Sequence, residues 1–352
     1  MSSIASHCQS CSNDLREFNA EKFDSIPLMA VLKKPEVGSL NGDFGLVDYA
    51  SLVARIAIAR PRFLLGYLIV IVVILLGVFA PWIAPYSPVE ADPSRVLLPP
   101  SWSYLMGTDS VGMDIFSRTI FAPRIDLTIA ISATLISAAL GSLIGAMVGY
   151  YGEGKGIRSW LGGGVMRSAD VIQAFPVFVL AIALVASLGQ GLSTVVAAIT
   201  FVNTPIYLRL MRSQVLSIRR ARFVQAARVA GCSDWSIIMR HVMPNAMSPV
   251  LAQLSVNIGW AVLLTAGLSF VGAGVRAPTP EWGSMIAMGF QDLVTGFWWP
   301  SVCPGLVLSI SVFGFTLVGA SIEVLSDPAK RRTLLSEISP KKVTQVTPEP
   351  AH

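Results

Sequence analysis

The chain has 352 residues, of which 53% are hydrophobic and only 13% charged, with a formal net charge of +5 and a mean hydropathy of +0.63. Soluble domains carry about 25% charged residues, so this composition excludes an ordinary water-soluble globular protein and points to membrane-spanning helices. The basic residues form no run interleaved with base-stacking aromatics, which argues against a nucleic-acid partner.

Residues 1–60 are polar, mixed in charge and without clear periodicity, and read as a cytoplasmic tail that is partly disordered. His7, Cys8 and Cys11 offer half of a zinc site with no second ligand pair, so we read reduced thiols. Cys232 and Cys303 imply no disulfide framework. The membrane domain is expected over 61–333, followed by a disordered tail over 334–352. Uncharged stretches occupy 63–89, 127–152, 171–208, 242–275 and 293–322. A spanning helix needs about 20 apolar residues, and 171–208 holds two, with Gly189-Gln190-Gly191 as the turn between them. The predicted fold is therefore all-α and polytopic, with six transmembrane helices near 62–84, 127–151, 167–188, 192–213, 247–271 and 299–323. The first apolar stretch begins too far into the chain for a signal peptide and is read as a retained helix.

An outer loop over 85–124 separates the first two helices. Within it, Gly107-Thr108-Asp109 and Asp114-Ile115-Phe116-Ser117-Arg118 predict a turn, a cap and an amphipathic helix with Ile115 and Phe116 toward the membrane. Asp109 and Asp114 fit a capped surface helix better than an acid–base or calcium pair, since no His, Ser or Lys constellation accompanies them. Helix two carries Gly141, Gly145 and Gly149 at four-residue spacing, a face that lets helices approach closely in lipid. Tyr150 and Tyr151 follow at the interface. Helix three opens on Arg167 and Asp170, read as an ion pair at the cytoplasmic lip in preference to a gate or substrate ligand, and contains Pro176. Glycines between 267 and 274 close helix five, and Trp282, Trp298 and Trp299 suit the outer interface.

Lys and Arg near the membrane ends set orientation. Arg55, Arg60 and Arg62 precede helix one; Lys155, Arg158 and Arg167 lie between two and three; Arg212, Arg219, Arg220 and Arg222 lie between four and five; Lys330, Arg331 and Arg332 follow six. With six crossings these all fall on one side, which makes both termini cytoplasmic.

The segment 223–249 sits between two apolar stretches and carries Arg228, Arg240 and His241, so it stays out of hydrocarbon. Phe223, Ala226, Ala227 and Ala230 have helical spacing, and Gly231 supplies a turn. Ser233 or Asp234 caps a second short helix presenting Trp235, Ile238, Met239 and Val242, which Pro244 ends. Two short helices around a glycine on a membrane face suit docking into a partner's groove.

Gln225-Ala226-Ala227, three residues, Gly231, nine residues, then His241-Val242-Met243-Pro244 resembles the signature loop of ABC-importer permeases. That family has Glu-Ala-Ala, Gly and Ile-x-Leu-Pro at the same spacing. The His-x-x-Pro-Asn ending resembles the dipeptide/oligopeptide/nickel branch. Gly107-Thr108-Asp109 through Ser117-Arg118, with Met113 where that branch has Arg, resembles the same proteins, as do Met166-Arg167-x-x-Asp170 and Pro278-x-Pro280-Glu281-Trp282-Gly283. The resemblance covers about 60–332. It implies a type I importer permease fold in the cytoplasmic (inner) membrane, with 214–245 as the ATPase-coupling loop. It also implies a homologous second permease, two ABC ATPase subunits and an extracytoplasmic substrate-binding protein as partners. Peptides are the first substrate it implies, with nickel complexes, opines or other small solutes as alternatives. No Gly-x-x-x-x-Gly-Lys-Ser/Thr loop occurs in the chain, so ATP and Mg would be bound by the partners; no cofactor and no catalytic role is expected here. The rival from another class is an ion-coupled secondary transporter. Such proteins carry ionisable groups at membrane depth, whereas Arg209, Asp170 and Glu323 lie near cytoplasmic ends.

Overall fold

The computed structural model describes residues 60–152 and 156–326. The N-terminal tail with its His7, Cys8 and Cys11, the C-terminal tail, Lys155, and the Lys330, Arg331 and Arg332 contribution to orientation lie outside the described residues. In chain order the helices are α1 (Pro61–Ile83), α2 (Ile115–Tyr151), α3 (Ile157–Ala174), α4 (Val177–Leu188) and α5 (Leu192–Ile218). Then come α6 (Arg222–Val229), α7 (Asp234–Ile237), a π turn (Ile238–Val242), α8 (Met243–Ala246), α9 (Ser248–Phe270), α10 (Trp282–Leu293) and α11 (Trp299–Ser326). Helices α1, α2, α5, α9 and α11 are long and apolar enough to cross a membrane, and α3 with α4 makes a sixth candidate only as a span bent by 95°.

That bend corrects the expectation of one continuous helix near 167–188 with Pro176 inside it. The residue before a proline is pushed out of the helical region; Phe175 accordingly sits at φ −80°, ψ 142°, and Pro176 precedes α4 instead of lying inside a helix.

Helix α2 begins at Ile115 and not near 127, so the expected amphipathic surface helix is instead the first third of one 37-residue helix. It continues through Pro123, which cannot donate back to the Thr119 carbonyl. The Trp282 indole N–H fills that gap, donating to Thr119 O at 3.2 Å. Trp282, the first residue of α10, is fully buried, so this bond ties the start of α10 to α2.

The most extensive packing is α2 against α5, with α9 on α11 and α11 on α1. Small residues make the α2–α5 seam. A Cβ on Gly141 would lie 2.6 Å from Thr204 O, and one on Gly145 2.4 Å from Leu208 O, so these glycines seat α2 directly on the α5 backbone. One core, including Ile129, Val185, Ile199, Val262 and Trp282, fills the centre of the helical array. A second, including Tyr150, Tyr207, Met211, Val224, Ile237 and Val242, fills the end formed by α6 to α8. Helix α1 keeps Leu64, Leu68, Ile71 and Leu75 exposed, the side-chain set that lipid covers.

Candidate functional site

The chain from Ile218 to Ala246 forms the expected helix pair. Val229 ends α6, and Gly231 follows at φ +81°, a backbone conformation that costs a residue without Cβ nothing. The N–H of Cys232 bonds to the Ala227 carbonyl at 3.1 Å, closing the C-terminal turn of α6. Ser233 then caps α7, its hydroxyl accepting from Ser236 N at 3.3 Å, and Asp234 occupies the first turn. Pro244 does not end the run. It stands in the first turn of α8, where a missing N–H is tolerated, and the π turn Ile238–Val242 precedes it.

The two helices have a mixed face. Phe223, Trp235 and Met239 are exposed, while Val224, Ala227, Ile237, Ile238 and Val242 are buried against the C-terminal halves of α2 and α5. Ala227, Ile238 and Val242 therefore anchor the hairpin to its own chain, and the outward apolar groups are Phe223, Trp235 and Met239. Gln225 and Ala226 are exposed on α6, Pro244 is exposed, and His241 is half-buried. The Gln225 amide donates to the Arg220 carbonyl at 3.2 Å.

Asp170 pairs with Arg209 of α5 at 2.9 Å, not with Arg167 one turn away on its own helix. Both partners are more than half exposed, so this bridge between α3 and α5 is a surface contact of small energy. Arg167 is exposed. A largely apolar cleft of about 850 Å3 lies between α2, α3 and α5, lined by Ile136 and Leu140 of α2, Trp160 and Ile172 of α3, and Phe201 and Leu208 of α5.

On the opposite side Asp109, Asp114 and Arg118 are buried, which corrects the reading of a capped surface helix. Asp114 does cap α2, accepting from Ser117 N at 2.8 Å. Asp109 turns inward and accepts from Val111 N at 3.0 Å and Met113 N at 2.8 Å. Burial pushes the Asp109 carboxyl above its ordinary value, against the opposing pull of these amides and of Arg118. The Arg118 guanidinium donates to Pro88 O at 2.8 Å and Pro278 O at 3.3 Å, tying the segments after α1 and after α9 to α2. Ile115 packs with Met285 and Trp299 and does not face lipid.

One constellation escaped the sequence reading. Asp126 and Glu281 are both fully buried. Glu281 caps α10, accepting from Gly283 N at 2.9 Å and Ser284 N at 2.8 Å, while Asp126 accepts from Trp282 N at 3.2 Å. Two carboxyl groups thus take three consecutive N–H groups of one helix start. Burial pushes the Glu281 carboxyl above its ordinary value, against the opposing pull of the Ser284 and Gly283 amides. Asp126 falls between the predicted loop, which ends at 124, and the uncharged run that begins at 127, so nothing in the sequence singled it out. The only signal was the pairing of Glu281 with Trp282-Gly283, a capping carboxylate before a helix. Among the described residues no three His, Cys, Asp or Glu side chains gather as a metal site.

A family model described as "Binding-protein-dependent transport system inner membrane component" matches residues 112–332, and one described as "N-terminal TM domain of oligopeptide transport permease C" matches 51–100. The chain is 37% identical over 269 residues to the di/tripeptide transport system permease protein DppC of Pseudomonas aeruginosa, spanning 75% of this chain and 86% of that one. It is 36% identical over 260 residues to the probable D,D-dipeptide transport system permease protein DdpC of Escherichia coli K12, spanning 74% and 85%. It is 38% identical over 264 residues to the glutathione transport system permease protein GsiD of an Escherichia coli O6 strain, spanning 74% and 84%. Among solved structures, the inward-facing MetNI methionine ABC transporter aligns with a TM-score of 0.44 at 20% identity, over 57% of this chain and 94% of that one. With the family model matched from the start of α2 past the end of α11, this multi-pass membrane protein belongs to the family of binding-protein-dependent transport system inner membrane components, the permease subunits of ABC importers.

Proposed function

We propose that the chain carries short peptides across the cytoplasmic membrane as one permease of an ATP-driven importer, working by alternating access. It would act with a homologous second permease, two ABC ATPase subunits that bind ATP and Mg, and an external binding protein that delivers the substrate. The observation that carries the reading is the hairpin at Gly231. It is anchored inward by Val224, Ala227, Ile237 and Val242, and it leaves Phe223, Trp235 and Met239 exposed beside Arg222 and Arg240. Unpartnered apolar side chains rimmed by cations fit insertion into a groove on another protein. The peptide class is supported by the names of the relatives, which transport di- and tripeptides, D,D-dipeptides and glutathione. In this reading α3 and α4 form one broken span, the crossings number six, and both termini face the cytoplasm.

The test is reconstitution. The chain purified alone hydrolyses no ATP; with its partners in proteoliposomes it supports ATP-dependent uptake of a radiolabelled dipeptide. Hydrolysis by the pure isolated chain, or no uptake by the complete complex, removes the reading. For topology, Trp102→Cys, fully exposed in the loop between α1 and α2, is labelled from outside sealed cells and Arg220→Cys is not; labelling of Arg220→Cys from outside reverses the orientation.

A further inference from the structure

Tyr150, next to last in α2, is buried. Its hydroxyl donates to Asp234 Oδ1 at 2.9 Å and accepts from Arg228 Nε at 3.2 Å. The Arg228 guanidinium also lies 5.0 Å from the centre of the Tyr150 ring. Arg228 belongs to α6 and Asp234 opens α7, so one phenol bridges both arms of the hairpin across the Gly231 turn. Arg219, at the end of α5, adds a tether by donating to the Gly149 carbonyl at 3.3 Å and the Tyr150 carbonyl at 3.5 Å. Gly149 itself abuts α5, where a Cβ would lie 2.9 Å from Val215 Cβ and 3.0 Å from Arg212 O. The hairpin, the end of α2 and the end of α5 therefore meet at one residue.

We propose that Tyr150 is the positioning residue through which movement of the hairpin is passed to α2 and α5. The inference rests on the coupling role given to the hairpin above. Apolar packing of Val224, Ala227, Ile237 and Ile238 is non-directional; it holds the hairpin in place but permits sliding. The phenol adds direction. It donates a hydrogen bond to an anion on one arm and accepts one from a cation on the other, and such charge-assisted bonds are oriented. The seat on α2 thus fixes the angle between the arms as well as their position.

The experiment uses the complete transporter in proteoliposomes, with uptake of radiolabelled alanyl-alanine and ATP hydrolysis measured on the same vesicles. Tyr150→Phe keeps the ring and its cation contact and removes both hydrogen bonds. It is expected to retain its ATPase subunits and their basal hydrolysis, while dipeptide taken up per ATP falls about tenfold. Replacement of Tyr150 by 4-aminophenylalanine, which restores a donor at the same position, recovers the ratio. Asp234→Ala lowers the ratio, and combined with Tyr150→Phe lowers it no further, because both remove the same bond. A parent-like ratio in Tyr150→Phe overturns the inference. So does a loss of uptake matched by an equal loss of bound ATPase, which is what a purely structural tyrosine gives. If the unmodified complex fails to couple uptake to hydrolysis, the importer reading falls, and this inference with it.

Discussion

Replacing Gly145 by alanine adds one methyl group at the tightest point of the α2–α5 seam. Its carbon would lie 2.4 Å from the Leu208 carbonyl oxygen and 3.1 Å from Leu208 C and Cα. The obstacle is backbone on both sides, so no side-chain rotation relieves it. Ordinary contact begins near 3.4 Å, and 3.4 − 2.4 leaves 1.0 Å by which the helices must part. Overpacking of this kind costs about 1–3 kcal/mol. For a chain of this size that lowers the melting temperature by about 2–12 °C, taking about 2–4 °C per kcal/mol. The assay is a tryptophan-fluorescence melt of the detergent-purified protein, with uptake measured in parallel. Gly163→Ala and Gly164→Ala in α3 are the controls: nothing lies within 4 Å of either added carbon, and alanine improves helix propensity by about 1 kcal/mol. These controls hold or raise the melting point. If Gly145→Ala melts and transports like the parent, α2 does not rest on the α5 backbone as described.

Gly231→Val forces a β-branched residue to φ +81°, at about 1–3 kcal/mol of local strain; ATPase pull-down and uptake are lost while membrane insertion is kept. Gly231→Asn, which tolerates that region far better, retains binding, and equal behaviour of the two variants defeats the argument. Trp282→Phe strands the Thr119 carbonyl that Pro123 leaves open, at about 1–3 kcal/mol. Adding Pro123→Ala returns an intrahelical donor and recovers part of the lost melting temperature; no recovery means the indole bond is incidental. Because burial raises the Glu281 carboxyl above its unfolded value of 4.5, the fold favours its neutral form. That contribution is full below the unfolded value and is lost as pH rises through the raised one, so thermal stability declines above pH 4.5. Glu281→Gln flattens the decline, and an unchanged slope would show that another group sets it.

The apolar stretches, the hairpin and its glycine turn were legible because each rests on local chemistry: hydropathy over one helix length, and a backbone angle that only glycine adopts freely. What escaped was set by distant partners. Arg118 read as part of a surface helix and Asp126 fell outside every predicted feature because charge normally marks water, yet Arg118 donates to carbonyls of Pro88 and Pro278 and Asp126 accepts from the start of α10. Asp170 has Arg167 one turn away, and local spacing favours that pair; the chain instead brings Arg209 across from α5. Pro176 was visible, but periodicity alone does not say whether a proline kinks a helix or turns it by 95°. On the hairpin, Ile238 and Val242 look as available as Trp235 and Met239, because nothing in their spacing tells which side α2 and α5 occupy.

The elbow at Pro176 makes a demand on its solvent. The last carbonyls of α3 and the first N–H groups of α4 have no partners within their own helices, and hydrocarbon supplies none. Phe175 and Pro176 are exposed in the isolated chain. That exposed backbone corner therefore has to be wetted or sheathed by another polypeptide, whereas the Leu64, Leu68, Ile71 and Leu75 face of α1 asks only for acyl chains. Alone in a bilayer, the chain is a particle with one side at rest in lipid and one side that lipid cannot finish.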